Sequence, residues 1–197
     1  MTGHSAGIEP VYLDHYVRRR KMGDNKASHF LSKVLRHDPA AANVTLDAQG
    51  WADIDALIVG SGGRVTREAL DAAVAENDKQ RFAISEDGKR IRARQGHTVP
   101  VELGLKAEVP PEVLYHGTYP DAVKAILREG LQRMKRHHVH MAKDSDTANA
   151  VGRRKGAPVL LQIEANAMHA AGHKFYQSEN GVWLTEHVPP EYLKVVW

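Results

Sequence analysis

The chain changes rhythm once, around Pro110-Pro111, and that change limits it to two small lobes of different construction. Before it, Lys26 to His37 sets Phe30, Leu31, Val34 and Leu35 on one helical face, with Pro39 as a stop. Asp53 is placed to cap a second short helix carrying Ile54, Leu57 and Ile58. Thr66 is placed to cap a third, running through Leu70, Ala73 and Val74 to Asn77. Arg81 to Ser85 and Arg90 to Arg94 then read as two strands joined by Glu86-Asp87-Gly88-Lys89, a hairpin signal. Three helices followed by a β-hairpin is the order of a winged helix.

After the prolines, a strand at Val113 to His116 leads into a helix with Pro120 in its first turn and Gly130 past its end. Ala122, Val123, Ile126 and Leu127 are expected to face inward. Strands follow at Val139 to Ala142, Val159 to Glu164, Lys174 to Gln177 and Val182 to Thr185, with a helix near Ser145 to Val151. Asn180-Gly181 predicts a hairpin between the last two strands. The expected organisation is α+β: a tail at 1–23, a winged-helix lobe at 24–103, a linker at 104–112 and a compact, mostly antiparallel lobe at 113–197.

Composition narrows the chemistry. With 197 residues and 42% hydrophobic content the chain can bury a core by folding alone. It has no long apolar run, and Met1 to Pro10 lacks a signal-peptide pattern, so no membrane partner and a cytoplasmic location are expected, with a monomer as the working state. The absence of cysteine removes disulfides, thiolate nucleophiles and cysteine-based metal sites. A formal charge of +3 permits a polyanionic partner without demanding one, and Arg18-Arg19-Arg20-Lys21 reads as a solvated tail rather than as catalytic machinery.

No Gly-x-Gly-x-x-Gly follows a strand and no Gly-Lys-Ser/Thr loop is present, which leaves Rossmann and P-loop nucleotide sites without support. Tyr115-His116-Gly117-Thr118 ends a strand, where glycine lets backbone approach a ligand and His and Thr offer hydrogen bonds. His138 and His140 share a strand face that suits paired metal ligands. No third ligand announces itself, however, and Lys135, Arg136 and Lys143 would oppose a cation, so no metal is expected. Arg36-His37 at a helix end, Arg81 before a strand and Arg154 before another offer guanidinium forks suited to a phosphate, although each alone reads as an ordinary surface arginine.

Taken together these segments resemble the RNA 2′-phosphotransferase family. The matching pieces, in family order, are Leu35-Arg36-His37; Gly50-Trp51; Asp78-Lys79-Gln80-Arg81-Phe82; Ile91-Arg92-Ala93 with Gln95-Gly96-His97; Leu114 to Thr118; His138-Val139-His140; Val151-Gly152 with Arg154; and Asn180 to Thr185 before Val188-Pro189. The resemblance implies an RNA-engaging winged-helix lobe and an ADP-ribosyltransferase-like lobe that holds NAD. It implies removal of an internal RNA 2′-phosphate in two steps: displacement of nicotinamide from NAD by the phosphate, then attack on phosphorus by the 2″-hydroxyl. The products are 2′-hydroxyl RNA, nicotinamide and ADP-ribose 1″,2″-cyclic phosphate, as in tRNA splicing. By the same resemblance Arg36, Arg81 and Arg154 grip the phosphate, and His37 orients or protonates it. His116, Gly117, Thr118 and His140 line the NAD pocket, with Val182 and Trp183 as its apolar wall.

Two places depart from the family pattern: Met141-Ala142 stands where Leu-Ser is common, and Arg94 replaces a common Asn. Altered affinity is expected from them rather than loss of activity. One competing reading is an ADP-ribosyltransferase that leaves ADP-ribose on a terminal nucleic-acid phosphate. Another is a winged-helix regulator that binds nucleic acid without turnover, which would leave Arg154 and the His116 and His140 pair without a role.

Overall fold

The computed structural model describes residues 26–76, 79–153 and 157–196. The tail at 1–23, the Arg18 to Lys21 run, Asn77 and Arg154 lie outside the described residues. The architecture is α+β with small antiparallel sheets, and the chain divides into two compact units, one taking the chain up to Leu46 with Trp51–Arg92, the other Asp47–Gly50 with Ala93–Trp197.

In the first unit, helix α1 (26–36) buries Ala27, Leu31, Val34 and Leu35, while Phe30 is half-buried. The amides of His37 and Asp38 both donate to Lys33 O at 2.9 Å, closing the helix one residue short of the expected end. Pro39 does more than stop it: the fixed φ of proline suits a helical first turn, and Pro39–Ala42 forms a 3₁₀ helix ended by Asn43 in the left-handed region.

Helix α2 (Ile54–Gly60) starts as expected, Asp53 accepting from the amide of Ala56 at 2.8 Å. Helix α3 (Arg67–Ala75) is capped by Thr66, which accepts from Ala69 at 3.2 Å, and it ends two residues before Asn77. The unit's sheet has three strands in the order β1 (Ala52–Asp53), β3 (Arg90–Ala93), β2 (Phe82–Ile84). The hairpin of β2 and β3 closes as its turn predicts, with the Asp87 carboxylate accepting from the Ser85 hydroxyl at 2.6 Å and from the Lys89 amide at 3.1 Å. Strand β1 was not expected from the sequence, because two residues are too few to show an alternation.

In the second unit, β4 (Leu114–Thr118), β7 (Val159–Ile163) and β11 (Leu193–Val196) form one antiparallel sheet with β7 in the middle. The pattern of β7 places Val159, Leu161 and Ile163 inward. A second sheet runs β6 (Val139–Met141), β9 (Trp183–Thr185), β8 (Tyr176–Gln177), and β5 (Leu131–Gln132) pairs with β10 (His187–Val188). A single bridge between Tyr115 and Ala142, with amide bonds of 2.9 and 2.8 Å, links the edge of β4 to the residue after β6. Leu114, Leu161, Ile163, Met168, Phe175 and Trp183 are among the buried core of this unit.

Helix α4 (Pro120–Glu129) has Pro120 in its first turn and Gly130 as its cap, as expected. It lies shallowly, however, with no fully buried residue: Ile126 packs against the core, whereas Leu127, about 100° further round the helix axis, is 43% exposed rather than inward. Helix α5 (Ser145–Gly152) begins at Asp144, whose carboxylate accepts from the amide of Thr147 at 2.7 Å, and α6 (Ala165–Ala170) follows β7.

Candidate functional site

The end of β4 is built for close approach. Its register sets His116 opposite Leu161 and Gly117 opposite Leu160. On the face toward α5, a Cβ on Gly117 would fall 1.8 Å from the carbonyl oxygen of Ala148, so only glycine lets the helix backbone sit there. Thr118 is buried and His116 and Gly117 are half-buried.

His116 and His140 come together through a hydrogen bond of 2.9 Å between His116 Nδ1 and the carbonyl oxygen of His140. A carbonyl can only accept, so His116 carries its proton on Nδ1, and its neutral form keeps a lone pair on Nε2. Burial is the main cause holding His116 below the ordinary histidine value; the charge of Arg136 adds to it, and the bond to His140 opposes it. Arg136 Nη1 lies 3.4 Å from His140 Nδ1, so that nitrogen accepts and the neutral His140 ring carries its proton on Nε2.

Across the second sheet, His140 is opposite Leu184 and Met141 opposite Trp183. His140 and Leu184 line a cavity of about 270 Å³ together with His97, His137, His138 and Tyr176, its rim completed by Gln95-Gly96 and the stretch from Val101 to Leu105. Its aromatic wall includes the tilted pairs His138–Tyr176, with ring centroids 5.4 Å apart, and His97–His137, at 6.4 Å. Burial, and next the adjacent His137, lower the basicity of His138. Drug-sized ligands occupy roughly 300–1,000 Å³, so this volume fits one heterocycle-sized part of a larger ligand.

Trp183 is 6% exposed, and its Nε1 is a buried donor with no hydrogen-bond partner among the described residues. The turn before it is fixed by Ser178, whose hydroxyl donates to Asn180 Oδ1 at 2.8 Å and accepts from the Val182 amide at 3.1 Å. Val182 is half-buried. Arg94 pairs with Glu179 at 2.8 Å, tying the approach to Gln95-Gly96-His97 to this same turn.

The remaining candidates lie in the first unit. Arg36 is half-buried on the last turn of α1, His37 is exposed just beyond it, and Arg81 is half-buried immediately before β2. Gln80, next to Arg81, has a φ of 41°, a left-handed conformation that a non-glycine residue adopts only when its surroundings hold it. His97, Tyr176 and the Val101 to Leu105 stretch were not singled out as site residues by the sequence; the available signal was Gln95-Gly96-His97 itself, whose glycine has a φ of 89°. Among the described residues no group of three or more His, Asp, Glu or Cys side chains could hold a metal ion. No described helix is long and apolar enough to cross a membrane.

The lowered His116 and His138 give a signed pH dependence. Below the unfolded-state value near 6.5 the unfolded chain binds protons that these native histidines resist, so their contribution is complete above pH 6.5 and is lost progressively as pH falls from there through their lower folded-state values. Thermal unfolding midpoints are expected to fall between pH 7.5 and 5.5, and His116→Gln to flatten that slope. Asp144, lowered from 3.8 chiefly by the amide of Thr147, acts only at more acid pH. A slope unchanged in the variant would show that His116 takes up its proton freely in the folded state.

The model of the family described as "RNA 2′-phosphotransferase, Tpt1 / KptA family" matches residues 22–187. The chain is 54% identical over 171 residues to a Pseudomonas aeruginosa protein named "Probable RNA 2′-phosphotransferase", covering 85% of this chain and 94% of that one. Proteins of the same name from Streptomyces coelicolor and Nostoc punctiforme are 50% and 49% identical over 172 and 174 residues, covering 86% and 87% of this chain and 93% and 96% of theirs.

Proposed function

We propose, from the premise that this chain belongs to the RNA 2′-phosphotransferase (Tpt1/KptA) family of transferases, that it removes an internal 2′-phosphate from RNA at the expense of NAD. The RNA 2′-phosphate displaces nicotinamide from the NAD ribose, and the neighbouring 2″-hydroxyl then attacks the ADP-ribosylated phosphate. The RNA leaves with a 2′-hydroxyl, and ADP-ribose 1″,2″-cyclic phosphate is the second product. Within this reading the first lobe (24–103) is a winged helix that engages RNA, the second (113–197) is an ADP-ribosyltransferase-like NAD lobe joined by 104–112, and the enzyme is a cytoplasmic monomer. A helical lobe closed by the β2–β3 hairpin supports the first of these assignments.

The observation that carries the NAD assignment is the bond from His116 Nδ1 to the His140 carbonyl. It leaves His116 a neutral acceptor through Nε2, suited to a ribose hydroxyl, and it fixes the backbone of a residue whose ring lines the cavity. Gly117 seats α5 against β4 beside His116 and meets the ligand through its backbone, Thr118 adds a hydroxyl, and Val182 and the buried Trp183 supply apolar surface with one donor to satisfy. The cavity's size suits a heterocycle such as nicotinamide or adenine. Arg36, Arg81 and Arg154 hold the 2′-phosphate and its transition-state charge, and His37 orients or protonates it.

The test is incubation of the purified protein with a short RNA bearing one internal 2′-phosphate, with and without NAD, and resolution of the products by mass. Loss of phosphate only with NAD, together with the cyclic phosphate of ADP-ribose, is the expected result. RNA that stably retains ADP-ribose would transfer the assignment to an ADP-ribosyltransferase, and no reaction would end the NAD reading.

A further inference from the structure

We infer that the outer face of the first unit's sheet, formed by Trp51, Arg90 and Arg92, binds the single-stranded RNA flanking the reacting 2′-phosphate. This rests on the RNA reading above. The register that sets Ala52 opposite Ile91 and Asp53 opposite Arg90 brings Trp51 beside Arg92. Because side chains alternate, Ala52 and Ile91 turn into the core, and Trp51, Arg90 and Arg92 share the opposite face. Both guanidiniums lie over the one indole, Arg92 at 4.5 Å and Arg90 at 5.6 Å from its ring centroid.

An aromatic plane with guanidiniums set over it presents what a nucleic-acid strand offers to bind: a phosphodiester for the forks and a base for the stack. A protein partner with acidic side chains could meet the forks, but it would leave the aromatic stacking unused. Arg90 is exposed, so its side chain is accessible and its replacement leaves the core intact. Neither Arg90, Arg92 nor Trp51 belongs to the phosphate-gripping set.

The experiment compares wild type with Arg90→Glu and Trp51→Leu, using Trp51→Phe to restore the aromatic plane. Substrates are a 2′-phosphorylated dinucleotide and a 2′-phosphorylated RNA of about 8 nucleotides. The expected result for Arg90→Glu is a KM raised about 10-fold on the longer RNA, with kcat and the dinucleotide KM unchanged, as for a contact equally strong in the ground and transition states. Trp51→Leu behaves alike and Trp51→Phe recovers most of the loss. Binding of an 8-nucleotide RNA without the 2′-phosphate, followed by anisotropy, weakens in Arg90→Glu, and its log–log salt slope falls by about 0.7 per lost phosphate contact. Unchanged KM and binding on the longer RNA, or equal losses on both lengths, would overturn the assignment while leaving NAD-dependent turnover by the wild type in place. If the wild type turns over neither substrate, the RNA reading fails with it.

Discussion

Replacing Arg36 or Arg81 with alanine is expected to lower kcat/KM for 2′-phosphorylated RNA by about 10²–10³-fold, the loss typical of removing one donor that stabilises transition-state charge. Arg36 ends α1, where the helix dipole favours a cation but disfavours an anionic ligand, so a phosphate held there depends on the guanidinium itself. Arg81 follows Gln80, whose φ of 41° is a conformation that costs stability and fixes the direction in which the chain enters β2. Arg36→Lys and Arg81→Lys keep the charge and lose the planar fork, so they should fall between wild type and alanine. Both arginines are half-buried, so the unfolding midpoint is measured beside steady-state phosphate release at saturating NAD. Loss of activity with an unchanged midpoint supports the phosphate role; alanine variants with wild-type kcat/KM would remove it.

Local chemistry is what the sequence displayed well. Asp53 and Thr66 accept from the amides three residues on, and Asp87-Gly88 and Asn180-Gly181 make the turns they signalled, because a cap or a turn is decided within four or five residues. What failed was non-local. β1, β5 and β10 have two residues each and exist only because partners elsewhere pair with them. Pro39 follows the end of α1 as expected but also opens a 3₁₀ helix that was not expected, and Leu127 turns outward because α4 rests on its unit by a narrow stripe centred on Ile126.

The site divides along the same line. His116 and His140 stood out as strand residues, but their bond depends on the Tyr115–Ala142 bridge, which no spacing predicts. His97 and Tyr176 reach the cavity from segments about 80 residues apart in sequence; His97 carried only the piece Gln95-Gly96-His97 as a signal, and Tyr176 carried no local mark of function. Arg36-His37 and Arg81 were visible as forks suited to a phosphate, but the choice of that role over an ordinary surface arginine came from the resemblance, since a single surface arginine looks the same with or without a phosphate to hold. Arg94, a departure from the family pattern, has a visible use: its ion pair with Glu179.

Gly117→Ala is expected to cost about 3 kcal/mol, at the upper end of what an added methyl does in a filled space. The new Cβ would lie 1.8 Å from Ala148 O and 2.7 Å from its carbonyl carbon. Those are backbone atoms of α5, so no rotamer change relieves the clash, and either the helix or the strand must move. β4 is held by five register pairs with β7, and α5 is pinned at its start by the Asp144 cap, so neither yields easily. For a chain of this size the unfolding midpoint should fall by about 6–12 °C. Gly152→Ala is the internal comparison: its Cβ would meet Pro158 Cβ at 2.8 Å and Thr118 O at 3.1 Å, a milder contact with a smaller expected loss. A shift of α5 also disturbs the strand that carries His116, so the surviving Gly117→Ala enzyme should show a larger rise in KM for NAD than for RNA. Midpoints in the reverse order would mean that α5 is not seated on β4 at Gly117, and the close approach assigned to that glycine would fall with it.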